Sequence, residues 1–322
     1  MTPQPRLDQK RWANWLSLGA ALLALGGCQQ AQPEASPQVL RYLAWTSPGQ
    51  FSTDLVARFN ALPNLQIVTQ YTAGSLVVVS SLQDGRGDFG FSQADVVYLA
   101  YRRGIEPNMQ PHTNLRAIAV RWVNSLNVVV PRGSALLRIE QLKGMRVGIV
   151  PEGSAGELFT RIVLEAHGLA YSSIQPTFIE NDEMVSHMLR GELDAVIMVG
   201  TPFSDRFSPP AGSQLRLVPV RREIINQIRG RYPFVKLVDN PTGESSPSDE
   251  ADTVGVDSVL VCRKDLSEET VYQLTREFLT LLSSLSKSAP QVAGFDPDKA
   301  SATPIPLHAG AARYYREQQM LK

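Results

Sequence analysis

Apolar runs of strand length alternate with amphipathic stretches of helix length along most of this 322-residue chain. The apolar runs predict strands over residues 39–44, 88–92, 115–120, 126–130, 146–150, 194–199 and 253–262. Apolar residues at helical spacing predict helices over residues 50–62, 158–167 and 266–286. Because strands and helices alternate rather than segregate, the pattern predicts an α/β protein.

Residues 76–79 carry two conflicting signals. Their sequence, Leu-Val-Val-Val, favours a strand by propensity. Gly74 and Ser75, directly before them, are typical of a helix cap. In a helix, three apolar side chains would share one face: Leu76, Val79 and Leu82. The residue pattern by itself leaves this choice open.

The N-terminus predicts export. Three basic residues (Arg6, Lys10 and Arg11) precede an apolar stretch over residues 16–25, as in a secretory signal peptide. That stretch is far shorter than the roughly 20 residues that span a bilayer. Leu25-Gly-Gly-Cys28 resembles a bacterial lipobox, in which Cys28 is lipid-modified, and Gln29 favours the outer membrane. An ordinary signal peptide cleaved near Ala31, or an uncleaved anchor, is the alternative.

Charge and cysteine content narrow the classes of function. The chain has 31 basic and 31 acidic residues, which argues against a polyanionic partner such as nucleic acid. Cys262 stands among branched apolar residues, as an inert core thiol does, and an acylated Cys28 would leave no disulfide. Residues 29–38 predict a flexible tether. The remaining residues suffice for one large domain or two lobes.

Gly-Ser turns stand at two predicted helix starts, Gly74-Ser75 and Gly153-Ser154. Such a turn directs unpaired backbone N–H groups and a hydroxyl at the space before the helix, and the helix dipole favours negative charge there. With one turn in each half of the chain, they suggest a carboxylate-like group held between two lobes, although each is also explained by plain helix capping. Glu152 stands where a nucleophile elbow needs glycine.

Residues 304–315 read Pro-Ile-Pro-Leu-His-Ala-Gly-Ala-Ala-Arg-Tyr-Tyr and closely resemble the C-terminal signature of the TAXI solute-binding proteins. Other segments are similar to that family and occur in its order: residues 74–75, 82–95, 142–149, 191–202 and 253–261. The resemblance covers nearly the whole chain after the tether, and it favours a helix over a strand for residues 76–79.

The resemblance implies a two-lobed α/β receptor of the periplasmic binding protein type II-like kind, with hinge-connected lobes and a ligand cleft between them. It implies a small carboxylate-bearing ligand, a TRAP-type membrane subunit as partner, and a location on the periplasmic side of a bacterial membrane. The expected divisions are the signal peptide 1–27, the tether 28–38, lobe 1 over 39–126, lobe 2 over 127–252, and a return to lobe 1 with C-terminal helices over 253–322.

Five residues match cleft positions of the family: Ser75, Gln93, Asp95, Gly153 and Ser154. Three more are candidates by their placement at the first strand–helix turn: Trp45, Gln50 and Phe51. A core role is the alternative for Trp45.

Departures from the family pattern predict an apolar pocket. Val78 stands where the family has asparagine, and Ala155-Gly156 where it has a small residue and threonine. The turn over residues 46–51 lacks the family's glycines and tyrosine. Each lost polar contact is worth on the order of 1 kcal/mol. A standard polar amino acid is therefore not the expected ligand.

The sequence predicts neither an enzyme nor a cofactor or metal site. The four histidines (His112, His167, His187 and His308) are scattered, and none has the i, i+4 partner of a helical metal site. No Walker loop or dinucleotide fingerprint occurs. His308 is expected to be a structural hydrogen-bonding residue. Two other receptor classes stay open: a ligand-sensing lipoprotein without a transporter, and a receptor for an ABC importer.

Overall fold

The computed structural model describes residues 36–45, 50–105, 109–200, 214–238, 253–286 and 295–321. The expected signal peptide, the lipobox with Cys28 and most of the expected tether lie outside these ranges, as does the turn over residues 46–49. Among the helices that the structure describes, none is long and apolar enough to cross a membrane.

Strands and α-helices alternate along the described residues, which confirms the α/β prediction. The strands are β1 Gln38–Trp45, β2 Leu65–Thr72, β3 Phe89–Gln93, β4 Leu115–Pro131, β5 Arg146–Ile149, β6 Gln175–Phe178, β7 Ala195–Gly200, β8 Leu215–Val218, β9 Val235–Val238 and β10 Thr253–Arg263. The helices are α1 Gln50–Asn60, α2 Ser75–Gln83, α3 Ala94–Arg103, α4 Ala155–Ala166, α5 Asn181–Leu189, α6 Arg222–Arg231, α7 Glu268–Leu285 and α8 Ala309–Glu317.

These strands form one sheet in the order β2-β1-β3-β10-β4-β7-β5-β6, with β8 paired to β4 and β9 paired to β10. One half contains the parallel strands β2, β1 and β3, and the other contains the parallel strands β7, β5 and β6. β4 and β10 are antiparallel to each other and to their neighbours, and they join the halves. β4 pairs with β10 over residues 115–126 and with β7 and β8 over residues 125–131.

The expectation of two separate strands at 115–120 and 126–130 is wrong, because β4 continues through residues 121–125 between them. Val123, Asn124 and Ser125 are paired with β10, and this pairing on the far side of a register shift keeps the segment extended. The segment 76–79 is helical, as the resemblance to the TAXI proteins implied, and α2 buries Val78, Val79 and Leu82. Backbone pairing thus decides the segment in β4, and burial decides the segment in α2.

Two clusters of apolar side chains stabilise the sheet. One contains Tyr42, Phe89 and Phe278 and is covered by α1, α7 and α8. The other extends from Val78 in α2 to Phe159 in α4, and so spans both halves of the sheet. Cys262 is buried in the first cluster as a free thiol, in agreement with the core role expected for it.

The C-terminal signature, residues 304–315, contains most of α8 and attaches this helix to β4 by hydrogen bonds. The backbone N–H of His308 donates to the carbonyl of Ala117 at 2.8 Å. The same histidine caps α8, where its Nδ1 accepts from the N–H of Gly310 at 3.1 Å. The hydroxyl of Tyr315 donates to a β4 carbonyl at 3.1 Å. The structural role expected for His308 is confirmed.

A buried carboxylate directly before β3 connects β1 to β10. Asp88 accepts hydrogen bonds from the backbone N–H and Nε of Arg41 at 2.7 and 2.8 Å, and from Nη2 of Arg263 at 2.8 Å. The side chain of Asp88 is 4% exposed, and those of the two arginines are 34% and 24% exposed. Burial opposes the charged form, but the hydrogen bonds and charges of the arginines outweigh it and hold the pKa of Asp88 below its ordinary value.

Candidate ligand-binding site

The first of the two Gly-Ser turns connects the start of α2 to the end of β3. Gly74 is the N-cap of α2, and its φ of 127° is one that glycine adopts without strain. Ser75 is 2% exposed, and its Oγ accepts from the backbone N–H of Gln93 at 3.1 Å. The hydroxyl therefore positions β3 against α2, while its own hydrogen can still be donated. The first turn of α2 contains no acidic side chain.

Two buried polar side chains follow at the β3–α3 junction. Gln93 is the N-cap of α3, and its Oε1 is buried without a hydrogen-bond partner among the described residues. Asp95 is fully buried; its Oδ1 accepts from the N–H of Val96 at 2.8 Å, and within the same ranges its Oδ2 has no partner. Burial raises the pKa of Asp95 to about 7. Near neutral pH, this carboxyl group can accept or donate a hydrogen bond.

The second Gly-Ser turn begins α4, in the other half of the sheet. Gly153 has a φ of +76°, and Ser154 is the N-cap, with its Oγ accepting from the N–H of Glu157 at 3.1 Å. The buried carboxylate of Glu157 lies in the first turn and accepts from the hydroxyl of Tyr171 at 2.8 Å. Because this carboxylate already offsets the positive end of the helix dipole, α4 attracts an external anion less strongly than α2 does.

An aromatic cavity of about 180 Å³ lies beside the end of β1 and the start of α1. Two of its lining residues, Trp45 and Phe51, were expected at the site from their placement. The others, which sequence reasoning missed, are Tyr42, Leu43, Ser52, Phe91, Arg121 and Trp122. Gln50 does not line it: this side chain is exposed and donates to Asp54 Oδ1 at 2.7 Å. Trp45 is 41% exposed at the rim, which disagrees with a core role.

Arg121 carries the charge in this cavity. Its guanidinium carbon lies 3.2 Å from the ring centroid of Trp122, 4.2 Å from that of Phe91 and 4.9 Å from that of Phe51. Its Nε is buried and has no hydrogen-bond partner in the described part of the chain. Burial lowers the pKa of Arg121 to about 9, which still leaves the side chain protonated at neutral pH.

The structure brings the expected residues together in three places rather than one. Trp45 and Phe51 share the aromatic cavity, Ser75 bonds to Gln93 at the end of β3, and Gly153 with Ser154 begins α4. The signal that could have found Arg121 is the polar interruption between the apolar runs 115–120 and 126–130. In an otherwise buried strand, such an interruption marks side chains with another role.

Comparison with known proteins agrees with this architecture. The model of the NMT1-like family matches residues 50–318. XAC2383 from Xanthomonas citri bound to ATP is similar, with 13% identity and a TM-score of 0.54 over 88% of this chain and 99% of that one. PhnD1 from Prochlorococcus marinus (MIT 9301) in complex with methylphosphonate has 15% identity and a TM-score of 0.51 over 88% and 97%. The expected fold class, two-lobed and type II-like, is confirmed.

Proposed function

The chain belongs to the NMT1-like family, and on that premise we propose that it is an extracytoplasmic solute receptor. It binds a small anionic ligand, with a carboxylate or a related acidic group, in the cleft between its lobes, and it delivers that ligand to a membrane transporter. Two proteins of similar fold support an anionic ligand, since one is bound to ATP and the other to methylphosphonate. The proposed lobes are residues 39–126 and 127–252, with residues 253–322 returning to the first.

The observation that carries this proposal is the pair of unpartnered polar atoms at the β3–α3 junction. Buried polar atoms are nearly always hydrogen-bonded, yet Gln93 Oε1 and Asp95 Oδ2 have no partner in the described residues. They follow the carboxyl end of a strand, which is where ligands bind in open α/β sheets. A ligand with hydrogen-bond donors as well as an acidic group would satisfy both atoms.

Removing the two Gly-Ser hydroxyls tests the site. Ser75→Ala combined with Ser154→Ala should raise the Kd of the co-purifying ligand roughly tenfold or more, because two polar contacts of about 1 kcal/mol each are lost. Native mass spectrometry of the full chain identifies a retained ligand, and calorimetry measures its affinity for each variant. Ser186→Ala, exposed on α5, is the matched control. Unchanged affinity in the double variant would reject the assignment of these serines to the site.

We propose the TRAP class for the transporter on the strength of the TAXI resemblance. The segment with the strongest resemblance, residues 304–315, packs α8 onto β4 and α7. Its role in the structure is therefore to attach the last described helix to the sheet. It supports a shared fold more directly than a shared docking surface. The ABC importer and sensory alternatives differ in partner rather than in cleft chemistry, and the affinity measurement on the double serine variant applies equally to all three.

We also propose that the mature chain is anchored by a lipid on Cys28, which lies outside the described residues. The support is the lipobox-like sequence Leu25-Gly-Gly-Cys28. Cys28→Ser should shift the protein from the membrane pellet to the soluble fraction when fractions are probed by immunoblot. Mass spectrometry of the wild-type N-terminus should show an acylated cysteine. Persistent membrane association of the variant would instead favour an uncleaved anchor.

A further inference from the structure

We propose that the aromatic cavity beside Arg121 holds the acidic group of the ligand, and that the ligand is a compact organic oxyanion with a flat apolar body. This inference rests on the receptor function proposed above and specifies the chemistry of its ligand. Carboxylates, sulfonates and phosphonates share the required group, which is a negative charge spread over oxygens that accept hydrogen bonds.

The first support is an unneutralised charge. Within the described ranges, no carboxylate pairs with the guanidinium of Arg121, and its Nε has no acceptor. Arg41 on β1 and Arg263 on β10, by contrast, do pair with a carboxylate. A partly buried cation without a partner is unfavourable, so an incoming anion gains affinity by pairing with it.

The aromatic rings determine how an anion can approach. The rings of Trp122, Phe91 and Phe51 occupy the space over the guanidinium, and they restrict its orientation by cation–π contact. Phe51 also packs edge-on against Trp122, with 5.3 Å between ring centroids. Because the rings cover the planar faces of the guanidinium, an oxyanion can reach only the N–H groups in its plane. Those N–H groups can bind two oxygens of the anion in a bidentate manner.

A β-bulge in β4 brings Arg121 level with Gln93 at the β3–α3 junction, across the intervening strand β10. Val123 pairs with Asp257 and Val120 pairs with Val259, so Arg121 and Trp122 together oppose the single residue Ser258. Ser258 in turn pairs with Gln93 on β3. The Oγ of Ser258 and the Oε1 of Gln93 are both buried, and neither has a partner among the described residues. Three neighbouring strands thus align a cation with two polar side chains that lack partners.

The size of the cavity limits the ligand. Its volume of about 180 Å³ is close to the roughly 150 Å³ of an apolar cavity that binds benzene. Apolar side chains form most of its walls, including Leu43, Trp45 and Trp122. A single arginine neutralises one negative charge. The cavity therefore suits a monoanion about the size of a substituted benzene ring better than a polar amino acid.

Both tryptophans of the described residues, Trp45 and Trp122, line this cavity, so their fluorescence reports on it; Trp12 and Trp15, in the expected signal peptide, add a background that calorimetry does not share. The full chain is titrated with benzoate, and with benzamide as an uncharged ligand of the same shape. We expect saturable quenching by benzoate and at least tenfold weaker binding of benzamide. Arg121→Met should weaken benzoate binding roughly thirtyfold or more, and Arg121→Lys by less, because lysine keeps the charge but loses the planar fork. Calorimetry gives the same constants independently of fluorescence.

Arg116→Met is the matched control, because Arg116 lies on the same strand and outside the aromatic cavity. It should bind benzoate as the wild type does. Ligand-free Arg121→Met should melt no lower than the wild type, since it removes an unpaired cation; a residue that serves only packing would lower the melting temperature. Wild-type affinity in Arg121→Met, equal binding of benzamide, or no saturable binding of benzoate by either method would each overturn the inference.

The outcomes separate this inference from the proposed function. If a co-purified ligand is lost from the double serine variant but retained by Arg121→Met, the receptor function stands and the Arg121 subsite is rejected. If neither a co-purified ligand nor benzoate binds the wild type, both proposals fail. Should Arg121→Met not fold, Arg121→Lys in the same titration decides, and wild-type affinity for benzoate would reject the bidentate contact.

Discussion

Asp88→Asn is expected to lower the free energy of unfolding by about 2–4 kcal/mol. The substitution removes the charge that two arginines share, and it places an amide N–H₂ group where Arg41 and Arg263 now donate. Breaking a buried ion pair by neutralising one partner costs about 3–5 kcal/mol. The partial exposure of the arginines places this case toward the lower end. Urea unfolding followed by circular dichroism measures the difference.

The pH dependence gives the same prediction a second readout. Because the pKa of Asp88 is lowered in the folded state, its contribution is complete above its ordinary value of 3.8 and is lost as the pH falls through the lower folded value. The variant should therefore lose less stability than the wild type on acidification in that window. Asp84→Asn is the control, since Asp84 and its partner Arg86 are more than half exposed and such pairs contribute about 0–1 kcal/mol. Equal effects at the two positions would contradict the interpretation.

Gly310→Ala should destabilise the protein by about 2–3 kcal/mol, because α8 and α7 approach too closely for a side chain. A Cβ at residue 310 would lie 2.1 Å from the carbonyl oxygen of Glu268 and 2.7 Å from the backbone N of Tyr272. Both atoms belong to backbone, so the contact can be relieved only by moving a helix. The better helix propensity of alanine offsets about 1 kcal/mol of the strain.

Gly230→Ala provides the opposite expectation within the same chain. Gly230 is in α6, and no heavy atom lies within 4 Å of the position that an alanine Cβ would take there. Alanine should therefore be neutral or stabilise by up to about 1 kcal/mol. Thermal unfolding of both variants distinguishes a steric cause from a general effect of replacing glycine. A stable Gly310→Ala variant would show that α8 can shift on α7 without loss.

Much of the fold was accessible from apolar periodicity. The predicted strand 253–262 and the predicted helix 266–286 correspond closely to β10 and α7. In both elements, apolar side chains recur at the spacing of the element and are buried. Periodicity failed in the middle of β4, where backbone pairing rather than side-chain polarity keeps the segment extended. Local propensity also failed for residues 76–79, which are helical because α2 buries one face against β3 and its neighbours.

The site was only partly accessible from sequence. Trp45 and Phe51 could be anticipated because strand–helix turns at the carboxyl edge of a sheet gather ligands. Arg121 is far from Phe51 along the chain, and only the strand order brings the two together. The hydroxyl of Ser154 fits the expected helix cap, but the buried carboxylate of Glu157 beside it became visible only in three dimensions. Long-range juxtaposition of this kind leaves no short-range signal.

The position of β10 has a consequence for how the chain matures. β10 lies between β3 and β4, although it is the last strand in the described part of the chain, and β4 also bonds to residue 308. A nascent chain that stops before β10 presents β3 and β4 with unpaired edges, which is a state prone to aggregation. The two halves can each form without β10, but β3 and β4 then lack the strand that joins them. Only a chain synthesised through residue 263 can therefore pair both of these edges.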